Sequence, residues 1–254
     1  MRARYKGWWT WWGLSGAVMA ATAVMVAGPV STARAAEPVP GDRSVGSGAP
    51  VEAAEIRAVV VLVVLEDPRP GAAKFPEALV DEVEAALARV YQVEVRRLAR
   101  RPLPRSAFRV QRKRYRADDL LAYLATQVPA GMPARTRVLG LTTADISTTR
   151  EPFKDWGVFG LGELDGTAAM VSSHRLRRKV RDAAQVRARV VNTAVHELGH
   201  VLGLDHCEEP RCVMLDAQGG IANTDESSGE PGPACQAKLD RVSPLRPAML
   251  RSAQ

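Results

Sequence analysis

Three histidines and a glutamate within eleven residues form the part of this sequence most able to carry out chemistry. Residues 196–200 read His-Glu-Leu-Gly-His, and a third histidine, His206, follows. On a helix, residues i and i+4 lie on one face about one turn apart, so His196 and His200 can present ring nitrogens to one ion. Gly203 can take the left-handed conformation that ends a helix, which lets His206 turn back and join them.

Three neutral imidazole ligands that leave a fourth position open are typical of a catalytic zinc site rather than a structural one. Glu197, directly after the first histidine, is placed to take a proton from a water on the metal and to pass it to a leaving amine. The motif therefore predicts a zinc-dependent peptidase that acts on a peptide or protein substrate. The alternative is a zinc-folded binding protein of the cell envelope without turnover, although a pure binder needs no base such as Glu197.

The residues after the third histidine extend the pattern. Cys207 directly follows His206, and Cys212 comes five positions later, with Met214 two positions beyond it. This arrangement resembles the archaemetzincins, zinc peptidases of the metzincin clan, over about residues 58–238. The resemblance implies an α/β (α+β) fold of the metzincin type: a mixed twisted sheet with helices, one of which carries the His-Glu-x-x-His motif. It also implies that Met214 lies beneath the zinc site, and that an edge strand pairs with an extended substrate backbone.

The resemblance also implies a second, structural zinc ion bound by four cysteines, and here this sequence departs from the family. Cys207, Cys212 and Cys235 match three positions, but the fourth is Lys238, whose charged ammonium cannot bind zinc. Three outcomes stay open: a three-thiolate zinc completed by water or by a carboxylate such as Asp240, a disulfide, which export would permit, or free thiols. We favour a disulfide or an altered site over an intact structural zinc.

The N-terminal segment predicts export from the cell. Three basic residues lie among the first six, an apolar run covers residues 14–26, and residues 33–35 read Ala-Arg-Ala, as a signal peptidase site does. We expect cleavage after about Ala35 and a secreted or periplasmic protein without a stable membrane span. The alternative is an uncleaved membrane anchor, because tryptophans before the apolar run lengthen it toward the roughly 20 residues that span a bilayer.

This prediction divides the chain into three parts: a signal peptide (1–35), a flexible linker rich in Pro, Gly and Ser (36–55), and the peptidase domain (56–254). The formal net charge of +7 includes four cations and no acid within residues 1–35, so the mature chain carries about 7 − 4 = +3. That charge is too small to indicate a nucleic-acid partner by itself. The basic segment 96–116 is interpreted as a solvated surface, and an anion-binding patch is the alternative.

Regular elements must position the histidines, and the apolar pattern predicts several. The continuous run 58–65 favours a strand covered on both faces. Tyr91, Val93 and Val95 alternate with polar residues and predict a half-buried strand. Further expectations are helices beginning near Pro76 and Asp118, strands at 138–141, 158–161 and 168–171, a polar loop at 142–152, and a long helix at about 179–202.

Overall fold

The computed structural model describes residues 58–216 and 220–241, and the predicted signal peptide and linker lie outside them. The described residues form strands and helices in a mixed order along the chain. The strands are β1 (Val59–Glu66), β2 (Glu94–Arg97), β3 (Arg101–Pro102), β4 (Phe108–Arg109), β5 (Arg114–Arg116), β6 (Thr136–Thr142), β7 (Ile146–Arg150), β8 (Phe153–Val158), β9 (Gly160–Gly162) and β10 (Ala168–Ser172). The helices are α1 (Glu77–Tyr91), α2 (Ala117–Ala125), α3 (Ser173–Leu176), α4 (Ala183–Val201), α5 (Ala222–Glu226) and α6 (Pro233–Leu239).

The larger sheet has the strand order β2-β1-β6-β10-β9, and β3 also pairs with β1. Strand β1 is parallel to β2 and β6, and β6 is parallel to β10. Strand β9 runs antiparallel to β10 and lies at the end of the sheet. A mixed sheet packed with helices confirms the fold class that the sequence predicts.

Strand β1 is apolar without interruption because both of its faces are covered. Val60, Leu62 and Val64 belong to a core shared with α1 and α4, whereas Val61 and Val63 belong to a core shared with α2. Successive side chains of a strand point to opposite faces, so a strand covered on both sides needs apolar residues at every position.

Tyr91 lies in a helix, and the prediction that a strand begins there is wrong. It is the last residue of α1, and Gln92 after it takes a left-handed conformation with φ 52°. Strand β2 then begins at Glu94. The alternation of Tyr91 and Val93 has the period of a strand by coincidence, because the last residue of a buried helix and the residue before the next strand are both apolar.

A smaller sheet, with the order β4-β5-β7-β8, includes part of the segment predicted as a polar loop. Within residues 142–152, Ile146–Arg150 form strand β7, which pairs with β5 and β8. Its buried residues are Ile146 and Ser147, and its later residues are polar and more exposed. The polar composition therefore reflects a strand near the surface.

Among the described residues, none of the helices combines the length and the apolar character needed to cross a membrane.

Candidate metal centre

The three histidines of the motif converge on one point. Helix α4 carries His196 and His200, and the chain after the helix brings His206 to them. One ring nitrogen from each of the three lies within 4.8 Å of the others. The ring centroids of His196 and His200 are 4.7 Å apart, and those of His200 and His206 are also 4.7 Å apart. The fourth histidine of the chain, His174, is exposed on α3 and lies outside this group.

Capping interactions at both ends of α4 set the position of the cluster. At the start of the helix, the Asp182 carboxylate accepts a hydrogen bond from the Gln185 amide at 2.8 Å. At the end, Gly203 adopts φ 91°, and its amide donates to the His200 carbonyl at 2.9 Å. The Leu204 amide bonds to the Gly199 carbonyl at 2.9 Å, which completes a Schellman motif. This turn redirects the chain, as the sequence predicted for Gly203.

Backbone carbonyls orient the two helical imidazoles. Nδ1 of His196 lies 2.7 Å from the Val213 carbonyl, and Nδ1 of His200 lies 2.8 Å from the Leu204 carbonyl. Because a carbonyl can only accept, each Nδ1 carries the proton and each Nε2 keeps a lone pair. These two Nε2 atoms face each other at 3.1 Å. Two lone pairs at that distance repel unless a cation lies between them, so this donor set fits a metal ion.

Burial also keeps these rings in the form that binds metals. It lowers the pKa of His196 to about 3, and the neighbouring His200 adds to the effect. Burial likewise lowers the pKa of His200, with His206 contributing. Imidazoles that stay neutral retain the lone pair that a metal requires.

Glu197 lies beside the cluster, under the end strand of the larger sheet. It is 7% exposed, and burial raises its pKa to about 8, while a hydrogen bond from the Gly162 amide acts in the opposite direction. A Cβ at Gly160 would come within 2.6 Å of Glu197 Oε1, and one at Gly162 would collide with the Glu197 carbonyl. Glycines at both positions therefore allow β9 to cross the helix at the glutamate.

Met214 is fully buried on the turn that supports the histidines. A Cβ at Gly199 would approach Met214 Sδ at 2.5 Å and the Tyr91 hydroxyl oxygen at 2.7 Å. The Tyr91 hydroxyl in turn donates to the Val195 carbonyl of α4 at 2.8 Å. The sequence had not indicated Tyr91, Gly199 or the carbonyl of Val213 as parts of the site. The missing side chain of a glycine and a backbone carbonyl have no chemical signature in a sequence.

The three cysteines form a second group of donor atoms, here called the thiol cluster. The sulfurs of Cys207, Cys212 and Cys235 lie within 4.8 Å of one another, and all three cysteines are free. Burial raises the pKa of the Cys235 thiol to about 12 and raises that of Cys207 above its usual value. Lys238 is exposed on α6.

The basic segment 96–116 forms ion pairs with carboxylates of the same chain. Seven of its arginines have a carboxylate within ion-pair distance, which lowers the positive charge available to a polyanion and favours the interpretation as a solvated surface. The pairs include Arg96–Glu94, Arg97–Asp81, Arg100–Glu66, Arg109–Asp119, Arg112–Asp155, Arg114–Asp145 and Arg116–Asp118.

Comparison with known proteins gives consistent matches over this region. The model of peptidase family M54 matches residues 74–241. An archaemetzincin from Natronomonas pharaonis is 34% identical over 146 residues, which cover 55% of this chain and 79% of that protein. One from Methanocaldococcus jannaschii is 45% identical over 83 residues, or 30% of this chain and 43% of that protein.

Solved structures agree with the sequence matches. The crystal structure of archaemetzincin from Methanopyrus kandleri is 30% identical with a TM-score of 0.59, over 75% of this chain and 97% of that chain. Archaemetzincin from Archaeoglobus fulgidus, complexed with malonate, is 27% identical with a TM-score of 0.56, over 71% of this chain and 99% of that chain.

Proposed function

This chain belongs to peptidase family M54 and is a zinc-dependent metallopeptidase, and on that premise we propose that His196, His200 and His206 bind its catalytic zinc ion. The observation that carries the proposal is the convergence of three imidazole nitrogens within 4.8 Å beside a buried glutamate. Family membership supports peptide hydrolysis over the alternative of a zinc-folded binding protein without turnover.

A zinc ion held by these three histidines would supply Lewis acidity: it would lower the pKa of a bound water to about 7 and polarise the scissile carbonyl. Glu197 moves the proton. Its carboxylate takes the proton from the attacking water and delivers it to the nitrogen of the leaving amine. Burial raises the pKa of Glu197, which makes the carboxylate a stronger base for this transfer.

The remaining residues orient these groups and the substrate. The Val213 and Leu204 carbonyls hold the His196 and His200 rings by their Nδ1–H groups, which directs both Nε2 atoms to the metal. Met214 packs against Gly199 of α4, and we propose that it supports the histidine cluster from below. Strand β9 ends the larger sheet directly above Glu197, and we propose that an extended substrate pairs with it through backbone hydrogen bonds.

Replacing the proposed base separates catalysis from metal binding. We expect Glu197→Gln to keep its zinc and to hydrolyse a fluorogenic peptide library about 10²- to 10⁴-fold more slowly, the usual contribution of general acid–base catalysis. The matched control is Glu226→Gln, an exposed carboxylate on α5, which should leave turnover unchanged. Undiminished turnover by Glu197→Gln would overturn the assigned role.

We further propose that the protein is exported, with the segment 1–35 removed as a signal peptide. The basic start, the apolar run and the Ala-Arg-Ala sequence support this proposal. Expression in a secreting host followed by N-terminal sequencing should give a protein that begins at Ala36. Full-length protein held in the membrane fraction would instead support the uncleaved anchor.

A further inference from the structure

A sulfur of the thiol cluster accepts hydrogen bonds from backbone amides, which neutral thiols accept only weakly. The sulfur of Cys212 accepts from two backbone amides, those of Gly232 at 3.0 Å and Met214 at 3.4 Å. A neutral thiol is a weak acceptor, whereas amide donors stabilise the charge of a metal-bound thiolate. Two amides directed at the sulfur of Cys212 therefore point to a thiolate that binds a cation.

A carboxylate oxygen without a hydrogen bond lies at the edge of the same cluster. Glu209 Oε1 accepts from the amide of Ala234, next to Cys235, at 3.1 Å. Its Oε2 is buried and has no hydrogen-bond partner. The same oxygen lies against Gly232, where a Cβ would collide with it and would come within 3.3 Å of Cys212 Cβ. A buried carboxylate oxygen without a partner is costly, and a cation nearby removes that cost.

Neither Lys238 nor Asp240, the two residues that the sequence offers for the fourth position, supplies a fourth ligand. Lys238 is exposed, although it lies three positions after Cys235 on α6. Asp240 is exposed, and its carboxylate accepts a hydrogen bond from the side-chain amide of Gln236 at 2.9 Å. No carboxylate of the described residues joins the three sulfurs within 4.8 Å, so Glu209 must turn its side chain inward to reach them.

We propose that the thiolates of Cys207, Cys212 and Cys235, together with the Glu209 carboxylate, bind a second zinc ion in a closed site. Three sulfurs and one oxygen suit tetrahedral zinc, and four protein ligands make a structural rather than a catalytic site. The site ties together the segment beside His206 and the turn that carries Val213. It replaces the four-cysteine site that the family resemblance implied, because Lys238 removes one thiol and Glu209 supplies the missing donor.

Zinc counting in a variant without the histidine site tests the proposal independently of hydrolysis. In the His196→Ala/His200→Ala background, the purified chain should retain one zinc ion by plasma mass spectrometry. Adding Cys235→Ser should remove it. Adding Glu209→Gln should weaken zinc affinity by at least about 10- to 100-fold, since the loss of a hydrogen-bond partner of a ligand already costs that much. Glu208→Gln, an exposed neighbouring carboxylate, is the matched control and should bind as tightly as the background.

Two further measurements separate failure of folding from failure of the proposal. Lys238→Cys in the Glu209→Gln protein should restore affinity, because a fourth thiolate replaces the carboxylate. Cobalt substitution should give intense thiolate-to-metal charge transfer that is lost in Cys235→Ser. Absence of zinc from the double-histidine variant, or a thiol count that reveals a disulfide, would overturn the site. Equal zinc affinity of Glu209→Gln and Glu208→Gln would overturn the place of Glu209.

Discussion

The imidazole cluster (His196, His200 and His206) and the thiol cluster lie on adjoining stretches of chain. Backbone carbonyls orient the first, and backbone amides orient the second. At the imidazole cluster, the carbonyls of Val213 and Leu204 accept the ring N–H groups. At the thiol cluster, the amides of Met214 and Gly232 donate to the sulfur of Cys212. The reason is chemical: an imidazole must be held as the tautomer with a free Nε2, whereas a thiolate carries a charge that donors stabilise.

The two clusters also depend on different scaffolds. Helix α4 has 19 residues and carries two of the histidines, so their spacing is set by the backbone without any metal. The thiols lie on an irregular segment and on α6, which has seven residues. A metal ion bound at the thiol cluster would therefore contribute more to its order than one bound by the imidazoles contributes to theirs, since metal binding to a weakly preformed site is coupled to folding.

The largest expected effect comes from emptying the histidine site. His200→Ala should lower peptide hydrolysis by about 10⁴-fold or more, because the metal supplies both the activated water and the polarised carbonyl. Metal analysis of this variant should still find the one zinc ion that we propose for the thiol cluster. Cys235→Ser should have a smaller effect on hydrolysis, acting through the position of the turn. Equal losses of activity in the two variants would contradict the division between a catalytic and a structural centre.

An ion pair between the buried Arg189 and a carboxylate at the surface anchors the part of α4 that precedes the motif. Arg189 is 2% exposed and donates to Asp225 at 2.6 and 2.7 Å and to the carbonyls of Leu176 and Arg178. Asp225→Ala should lower the unfolding free energy by about 2–3 kcal/mol, because the buried guanidinium of Arg189 loses its charged partner and keeps only two carbonyls. Denaturant unfolding measures this change.

The control for that variant is Arg187→Ala, also on α4, which breaks an exposed pair with Glu82 of α1 and should cost less than about 1 kcal/mol. The hydrogen bond from Arg189 lowers the pKa of Asp225. The pair therefore stabilises the fold above the ordinary carboxyl pKa, and this contribution is lost as pH falls below it. Asp225→Ala should remove that part of the acid dependence, and an unchanged acid profile would contradict the argument.

The smallest effect is expected where the two clusters meet. Gly199→Ala should lower the unfolding free energy by about 1–3 kcal/mol, because the new methyl group would press on Met214 Sδ and the Tyr91 hydroxyl. The backbone of Met214 is hydrogen-bonded to Cys207 and Cys212 of the thiol cluster. A shift of Met214 should therefore lower zinc affinity at that cluster together with the rate of hydrolysis. Adding Tyr91→Phe should recover part of the stability. A Gly199→Ala protein with wild-type stability and activity would contradict this packing.

The errors of the sequence interpretation share a cause. Tyr91 was assigned to a strand, and residues 142–152 to a loop, from patterns a few residues long. Whether Tyr91 ends a helix depends on its packing against α4, where its hydroxyl bonds Val195. Whether Ile146–Arg150 form a strand depends on β5 and β8, which supply its hydrogen bonds. Short patterns carry no information about such distant partners.

The sequence by itself determined the chemistry of this protein: the histidines and glutamate of the motif, their helical spacing, the glycine that ends the helix and the continuous apolar strand. These follow from hydrogen bonding and side-chain direction within one segment. Only the tertiary structure decided which carbonyls hold His196 and His200, that β9 crosses Glu197, and that the Glu209 carboxylate lies against Gly232 at the edge of the thiol cluster. Those contacts join segments far apart in the chain, and their geometry is set by the packing of sheets and helices.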